Sequence, residues 1–385
     1  MTLQAPLDRP KFGLYLHWPF CQAKCPYCDF NSHVVAAIDQ QAWADAYCAE
    51  IARFGALTTG RTLNSVFFGG GTPSLMDPSV VHQVMDKIRA TWPIANDWEV
   101  TLEANPTSVE ANRFKDYRMA GVNRISMGIQ SLNDDALRKL GRLHSVSEAQ
   151  SAFDIARATF DRVSFDLIYA RQDQALDAWE TELSRALEMA VDHLSLYQLT
   201  IEPGTAFGDR FARGGLAGLP SEDLSADMYD LTQSLCNAAG IPAYEVSNHA
   251  RQGAESQHNL IYWTGGDYIG IGPGAHGRLT LNGTRHATTA ESAPIKWLKE
   301  IAKEPDSATT WAALPPTEID DEYLMMGLRV NSGVSLNRLT LSAAQDAAIA
   351  DLAQGGFLIR TGTHLKTTQA GRLVLNAVIR ELLAG

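Results

Sequence analysis

The sequence predicts an α/β protein: a partial (β/α)6 barrel of TIM type followed by a smaller, winged-helix-like α+β domain. Three observations carry this. Between residues 12 and 199, six short β-rich runs alternate with amphipathic helical stretches, the pattern of βαβ units around a parallel sheet. No glycine fingerprint of a dinucleotide-binding sheet follows the first run, which favours a barrel over a doubly wound sheet. The unusual residues cluster where the runs end, and right-handed crossovers bring all such ends to one face.

Residues 1–10 read as a short arm and 11–215 as the barrel. Strands are predicted over 12–18, 65–68, 99–103, 124–129, 162–169 and 193–199 from their β-branched and aromatic content. Helices are predicted over 40–56, 78–91, 108–120, 134–140, 147–159 and 175–189 from apolar spacing near 3.6. Arg124 lies inside a strand and needs a carboxylate partner, because an unpaired buried charge is costly. Residues 216–290 read as a barrel extension, with a helix over 229–239 closed by Gly240 and a strand over 243–246. Residues 291–385 form the C-terminal domain: helices over 320–330 and 343–354, a two-stranded wing within 356–368, and a last helix over 369–383.

The chain has 385 residues, 45% of them apolar, enough for a large core plus an appendage. A wing often means nucleic acid, but a net charge of −12 and the lack of a basic recognition helix argue against it. A lid over the barrel mouth is the better reading. No secretory leader is expected at the start, and no run reaches the roughly 18 apolar residues of a membrane span. The odd cysteine count fits a reducing compartment, and the chain is expected to be cytoplasmic. Cys48 and Cys236 sit in helical patterns and read as core fillers.

The chemistry concentrates in Cys21-Gln-Ala-Lys-Cys25-Pro-Tyr-Cys28, directly after the first strand. Buried structural cysteines scatter through apolar runs, whereas Gln22, Lys24 and Pro26 separate these. Structural zinc pairs two knuckles far apart, and no second knuckle follows; His33 is a conceivable fourth ligand but reads as a loop residue. A cubane iron–sulfur cluster takes four thiolates, so three would leave one iron open. Spacing favours the cluster over zinc. On the same rim lie Gly69-Gly70-Gly71-Thr72-Pro73, Glu103-Ala-Asn105-Pro106, Gln130-Ser131 and Asp166. Alone, the glycine run is a plain turn; beside a cluster it lets backbone approach a ligand closely.

The stretch Tyr15-Leu-His-Trp-Pro-Phe-Cys21-x3-Cys25-Pro-Tyr-Cys28-Asp-Phe resembles the cluster loop of radical S-adenosylmethionine (SAM) proteins. More narrowly, it is similar to the HemN/HemW branch of that superfamily, and the resemblance runs over nearly the whole chain. It implies a 4Fe-4S cluster on Cys21, Cys25 and Cys28, with SAM held by Tyr15, Tyr27, Gly70, Gly71, Thr72, Glu103, Gln130, Arg142 and Asp166. In the family pattern the reduced cluster, fed by an electron donor, cleaves SAM to methionine and a 5′-deoxyadenosyl radical. Relatives continue the fifth strand with a Gly/Ala-x-Pro-x-Gln-Thr turn, whereas this chain reads Ala170-Arg-Gln172-Asp-Gln174-Ala175.

Two functions follow from the branch. One is enzymatic, oxidative decarboxylation of porphyrinogen propionates by an oxygen-independent coproporphyrinogen III dehydrogenase. The other is that of a haem chaperone, which binds haem and passes it to recipient haemoproteins such as respiratory-chain proteins; a membrane-bound recipient would bring the chain to the membrane surface. Three features favour the chaperone. The dehydrogenases carry a cysteine where this chain has Phe30, and a longer segment before the cluster loop. In addition, His258-Asn259-x-x-Tyr262-Trp263 resembles a motif implied in haem binding. Imidazole is a common axial ligand of haem iron, and the aromatics could pack on a flat macrocycle. Physically, a lone histidine also reads as a satisfied polar residue. Coproporphyrinogen dehydrogenase activity is not expected.

Overall fold

The computed structural model describes residues 11–384, so the arm expected at residues 1–10 lies outside the described residues. Eleven strands form one sheet: β1 (Phe12–Trp18), β2 (Leu63–Gly70), β3 (Ile94–Ala104), β4 (Arg124–Gln130), β5 (Arg162–Tyr169), β6 (His193–Gln198), β7 (Asn248–Ala250), β8 (Asp267–Ile271), β9 (His276–Leu281), β10 (Thr284–Ala290) and β11 (Thr309–Ala313). Their spatial order is β11-β10-β9-β8-β1-β2-β3-β4-β5-β6-β7. From β1 to β6 neighbours are parallel and in chain order, with helices between them, which is the partial (β/α)6 barrel.

The central strands are buried almost throughout; in β1 every residue but Tyr15 is buried, as expected of a parallel strand covered on both faces. Helix Pro78–Thr91 shows why the connections cover them. Pro78 opens it at a position whose N–H would be unpaired anyway, and Val80, Val81, Val84, Met85 and Ile88 form one buried stripe. A second helix, Pro294–Lys303, returns to the barrel and stacks Trp297 on Trp43, ring centroids 5.4 Å apart. One apolar core spans these elements.

The structure departs from the sequence reading at four places. No strand forms over 243–246; the Glu245 carboxylate accepts from the N–H groups of Val246, Ser247 and Asn248, bending the chain, and β7 starts only at Asn248. The helix expected over 108–120 is two, Ser108–Ala111 and Phe114–Ala120. The last helix likewise breaks, into Gln369–Leu373 and Leu375–Leu383. Beyond β1, the sheet continues through β8 to β11, strands the apolar pattern did not reveal. Asn282 and Gly283 turn the β9–β10 hairpin with φ of 50° and 81°, the signature of a two-residue primed turn.

The C-terminal residues build a second core around Leu324, Leu328, Ile349, Leu358, Leu365 and Val378. It covers a three-stranded sheet of β12 (Val334–Ser335), β14 (His364–Thr367) and β13 (Leu358–Thr361), in that order. This unit is tied to the larger one by Asn331 N–H donating to Tyr244 O (2.9 Å) and Arg338 donating to Thr264 O (3.1 Å).

Candidate cofactor site

Cys21, Cys25 and Cys28 occupy the loop leaving β1, and all three are free and partly exposed. The loop is pinned at its ends: Cys21 N–H donates to His33 O (2.9 Å), and His33 N–H to Pro19 O (2.7 Å). Thr72 Oγ1 donates to Cys21 Sγ (3.4 Å), and Arg142 Nη1 to Cys25 Sγ (3.4 Å). Burial pushes the thiols of Cys21 and Cys28 up, although Thr72 opposes this at Cys21. Among the described residues no three His, Cys, Asp or Glu side chains are grouped to share a single ion. A cubane asks for something else, one thiolate at each of several irons.

The glycine turn after β2 is shaped by close approach. A Cβ on Gly71 would lie 2.6 Å from the Phe20 carbonyl oxygen, and Gly70 has φ of 112° with His17 2.6 Å from where a Cβ would be. The turn beyond is clamped by Tyr117, whose hydroxyl donates to Ser74 O (2.9 Å) and Met76 O (2.7 Å). Glu110 ties it to the next rim loop, accepting from Ser74 and from Asn105 N–H. Asn105 in turn donates to Thr72 Oγ1 (3.2 Å) and accepts from Arg142 Nη2 (2.6 Å). Thus cysteines, Thr72, Asn105 and Arg142 form one hydrogen-bonded rim.

Beside this rim opens a cavity of about 470 Å³. Tyr15, Gly70, Glu103, Asp166, Asn259 and Tyr262 line it, together with Arg124. Gly70 N–H donates to Glu103 Oε2 (3.2 Å). Burial pushes the Glu103 carboxyl up to about 8, with further repulsion from Asp166, which burial itself lifts to about 6. Two buried acids whose charge Arg124 offsets only in part are suited to a positively charged ligand. Arg142 Nε is buried with no acceptor among the described residues, which suits a ligand carboxylate. The donor set therefore fits both a cluster and a zwitterionic SAM methionyl group.

Gln130 and Tyr27 adjoin the rim without lining the cavity. Gln130 ends β4 with φ of 71°, its amide folded close to Gly128 and hence to Arg142. Tyr27 packs against the small apolar cluster of Leu140, Ile168, Phe207 and Leu216, its hydroxyl near Arg142 and Cys25. Arg124 found its carboxylate, Glu99 at 3.9 Å, and bonds the hydroxyls of Thr101 and Ser164. The altered turn after β5 holds Ala170 at φ of 55° and Asp173 at 57°, and is braced by a buried Arg171–Glu182 ion pair.

The histidine motif lies on helix Gln257–Trp263. Asn259 and Tyr262 face the cavity, but His258 sits behind its wall and is 1% exposed. Its Nδ1 lies 2.8 Å from Ser65 Oγ and its Nε2 2.6 Å from Tyr262 Oη. The ring stacks on Phe67, and burial, helped by the Arg124 charge, lowers its pKa to about 3. Trp263 Nε1 is buried without a partner among the described residues. Sequence reasoning missed His17 and Asn31, which bracket the mouth: His17 lies 3.0 Å from Tyr15 Oη and 2.9 Å from Asn31 O.

Fold and site together define a partial barrel that gathers three thiols at its rim beside an acidic cavity. The chain belongs to the radical SAM superfamily. The family model "Radical SAM superfamily" matches residues 15–180, and "HemN C-terminal domain" matches residues 314–374. The chain is 37% identical to the haem chaperone HemW of Escherichia coli K12, covering 97% of this chain and 99% of that one. It is 36% identical to the mitochondrial radical S-adenosyl methionine domain-containing protein 1 of Danio rerio, over 98% of this chain and 88% of that one. Among solved structures, E. coli coproporphyrinogen III oxidase (HemN), a radical SAM enzyme, superposes with a TM-score of 0.81 at 22% identity, over 97% and 90% of the two chains. That likeness establishes the common fold.

Proposed function

We propose that this chain is a haem chaperone: it holds a 4Fe-4S cluster, SAM and haem, and delivers haem to recipient haemoproteins, those of a respiratory chain included. The observation that carries the reading is the near end-to-end match to HemW. When bound, the cluster and SAM supply one-electron cleavage of the sulfonium C–S bond. The chain's own residues place and shield them. Cys21, Cys25 and Cys28 would hold the cluster. Glu103 would take the SAM ammonium and Arg142 its carboxylate, with Gly70, Gly71 and Thr72 lending backbone and hydroxyl groups. Asp166 and Gln130 would serve the ribose, and Tyr15 and Tyr27 flank the group. The helix carrying His258, Asn259, Tyr262 and Trp263 would border the haem site.

The separate apolar cores, one around β1 to β11 and one around Leu324 to Leu382, support setting a C-terminal unit apart, while the barrel and its extension share the first core. No helix among the described residues is long and apolar enough to cross a membrane, and a cytoplasmic site of action with peripheral membrane contact is part of the proposal. The test is transfer. Haem-loaded, cluster-reconstituted protein mixed with an apo-haemoprotein should lose its own Soret band as the recipient's grows, faster than from free haem. Transfer no faster than from free haem would sink the chaperone reading.

A further inference from the structure

We infer that the imidazole ligating haem iron is His276, with the macrocycle seated across the cavity mouth between His276 and Phe30. This rests on the haem-binding reading above and deepens it. An axial ligand must present a ring nitrogen with an unshared lone pair to an open face. His258 does neither, since it is enclosed and both its ring nitrogens are within hydrogen-bonding distance of hydroxyls. Reaching iron would mean breaking the Tyr262 contact and lifting the helix out of the wall.

Three histidines line the cavity itself: His17, His193 and His276. His17 is engaged at both nitrogens, and His193 is 1% exposed, its Nε2 3.0 Å from Tyr244 Oη. His276 alone of the three is exposed. Its Nδ1 lies 3.3 Å from Thr289 Oγ1, which orients the ring, while its Nε2 has no hydrogen-bond partner among the described residues. That division, one nitrogen steadied and the other open, is what ligating imidazoles show.

The backbone around His276 is built to hold it still. A Cβ on Gly270 would lie 2.0 Å from the His276 carbonyl oxygen, and one on Gly274, at φ of 75°, would lie 2.7 Å from Asn31. Asn31 Nδ2 donates to Pro273 O (2.9 Å) and Ser292 O (2.8 Å), stapling this loop to the cluster loop. The residue before Asn31 is Phe30, which lines the same cavity and is 57% exposed. Val34 and Val35, 55% and 42% exposed, extend the apolar surface along the segment. An imidazole and an exposed aromatic, fixed to each other through one asparagine, match a planar apolar ring with a nitrogen-seeking metal at its centre.

The experiment titrates ferric haem into cluster-reconstituted wild type, His276→Ala, Phe30→Ser, Ser65→Ala and His258→Gln, reading the Soret band and the electron paramagnetic resonance of the iron. The assignment expects His276→Ala to bind about tenfold or more weakly and to lose the nitrogen-ligand signature, with free imidazole restoring it. Phe30→Ser should weaken binding while keeping that signature. Ser65→Ala and His258→Gln should keep it too; Ser65→Ala loosens the His258 cage without removing the ring, and so covers the case in which His258→Gln does not fold. A signature that survives His276→Ala, or is lost with Ser65→Ala or His258→Gln in folded protein, overturns the assignment alone. Failure of the wild type to bind haem sinks the underlying reading as well.

Discussion

Glu103→Gln should flatten the pH dependence of SAM binding. The Glu103 carboxyl stands at about 8, first because it is buried and second because Asp166 faces it; the Gly70 N–H and Arg124 offset this only in part. At neutral pH about one molecule in ten carries the charge that a cationic ligand needs, each unit costing about 1.4 kcal/mol. Binding therefore releases a proton, and the wild-type Kd should fall by about tenfold per pH unit from about 6 to about 8, then level off. Asp166, lifted to about 6, adds to the slope only at the acid end. The same shift sets stability. A folded pKa above the unfolded value contributes stability that is full below about 4.5 and lost as pH rises through about 8. Glu103→Gln should thus gain on wild type in thermal melts of cofactor-free protein as pH rises across that window. Anaerobic calorimetric titrations of SAM into reconstituted protein, run across that range, read the first effect. Wild-type binding that is flat with pH, or an unchanged slope in Glu103→Gln, would refute the reasoning.

Three further outcomes follow from contacts at the rim. Gly71→Ala drives a methyl against the Phe20 carbonyl, backbone that cannot swing aside, so iron and sulfide retained after reconstitution should fall by more than about half while far-ultraviolet circular dichroism stays native. Arg142→Lys keeps the charge but not the fork that reaches Cys25, Asn105 and the Gly128 carbonyl. SAM affinity should drop by about tenfold with the cluster absorption intact, each charged hydrogen bond being worth about 1.5–3 kcal/mol. Ala170→Gly relieves a left-handed alanine and should stabilise the protein by about 0.5–1 kcal/mol, read as a higher denaturation midpoint at unchanged slope.

Much of this molecule is written locally. The boundaries of β1, β5 and helix Pro78–Thr91 come directly from apolar spacing and from Pro78, because each is decided by its own residues. The rim residues were legible for a related reason: in a parallel barrel, whatever follows a strand must reach the same face. What escaped depends on particular side-chain contacts or on partners distant in sequence. The bend at Tyr244–Ser247 exists because one carboxylate, Glu245, gathers three N–H groups, which no propensity announces. Strands β8 to β11 gain their place from β1 across more than 200 residues, and the Asn282-Gly283 pair that turns the β9–β10 hairpin went unread. At the site, His258 stood out by motif and proved enclosed, while His276, in a Gly/Pro-rich loop, reached the cavity mouth. Exposure is a property of packing, and the motif could not report it.

The central claim is that the radical SAM fold here serves haem handling. The most direct measurement offers the reconstituted protein haem and, separately, coproporphyrinogen III with SAM and a reductant under anaerobic conditions. The account predicts saturable binding of one haem per chain and no decarboxylated porphyrinogen by mass spectrometry. Turnover to decarboxylated product, with no saturable haem binding, would contradict it and make the chain a dehydrogenase.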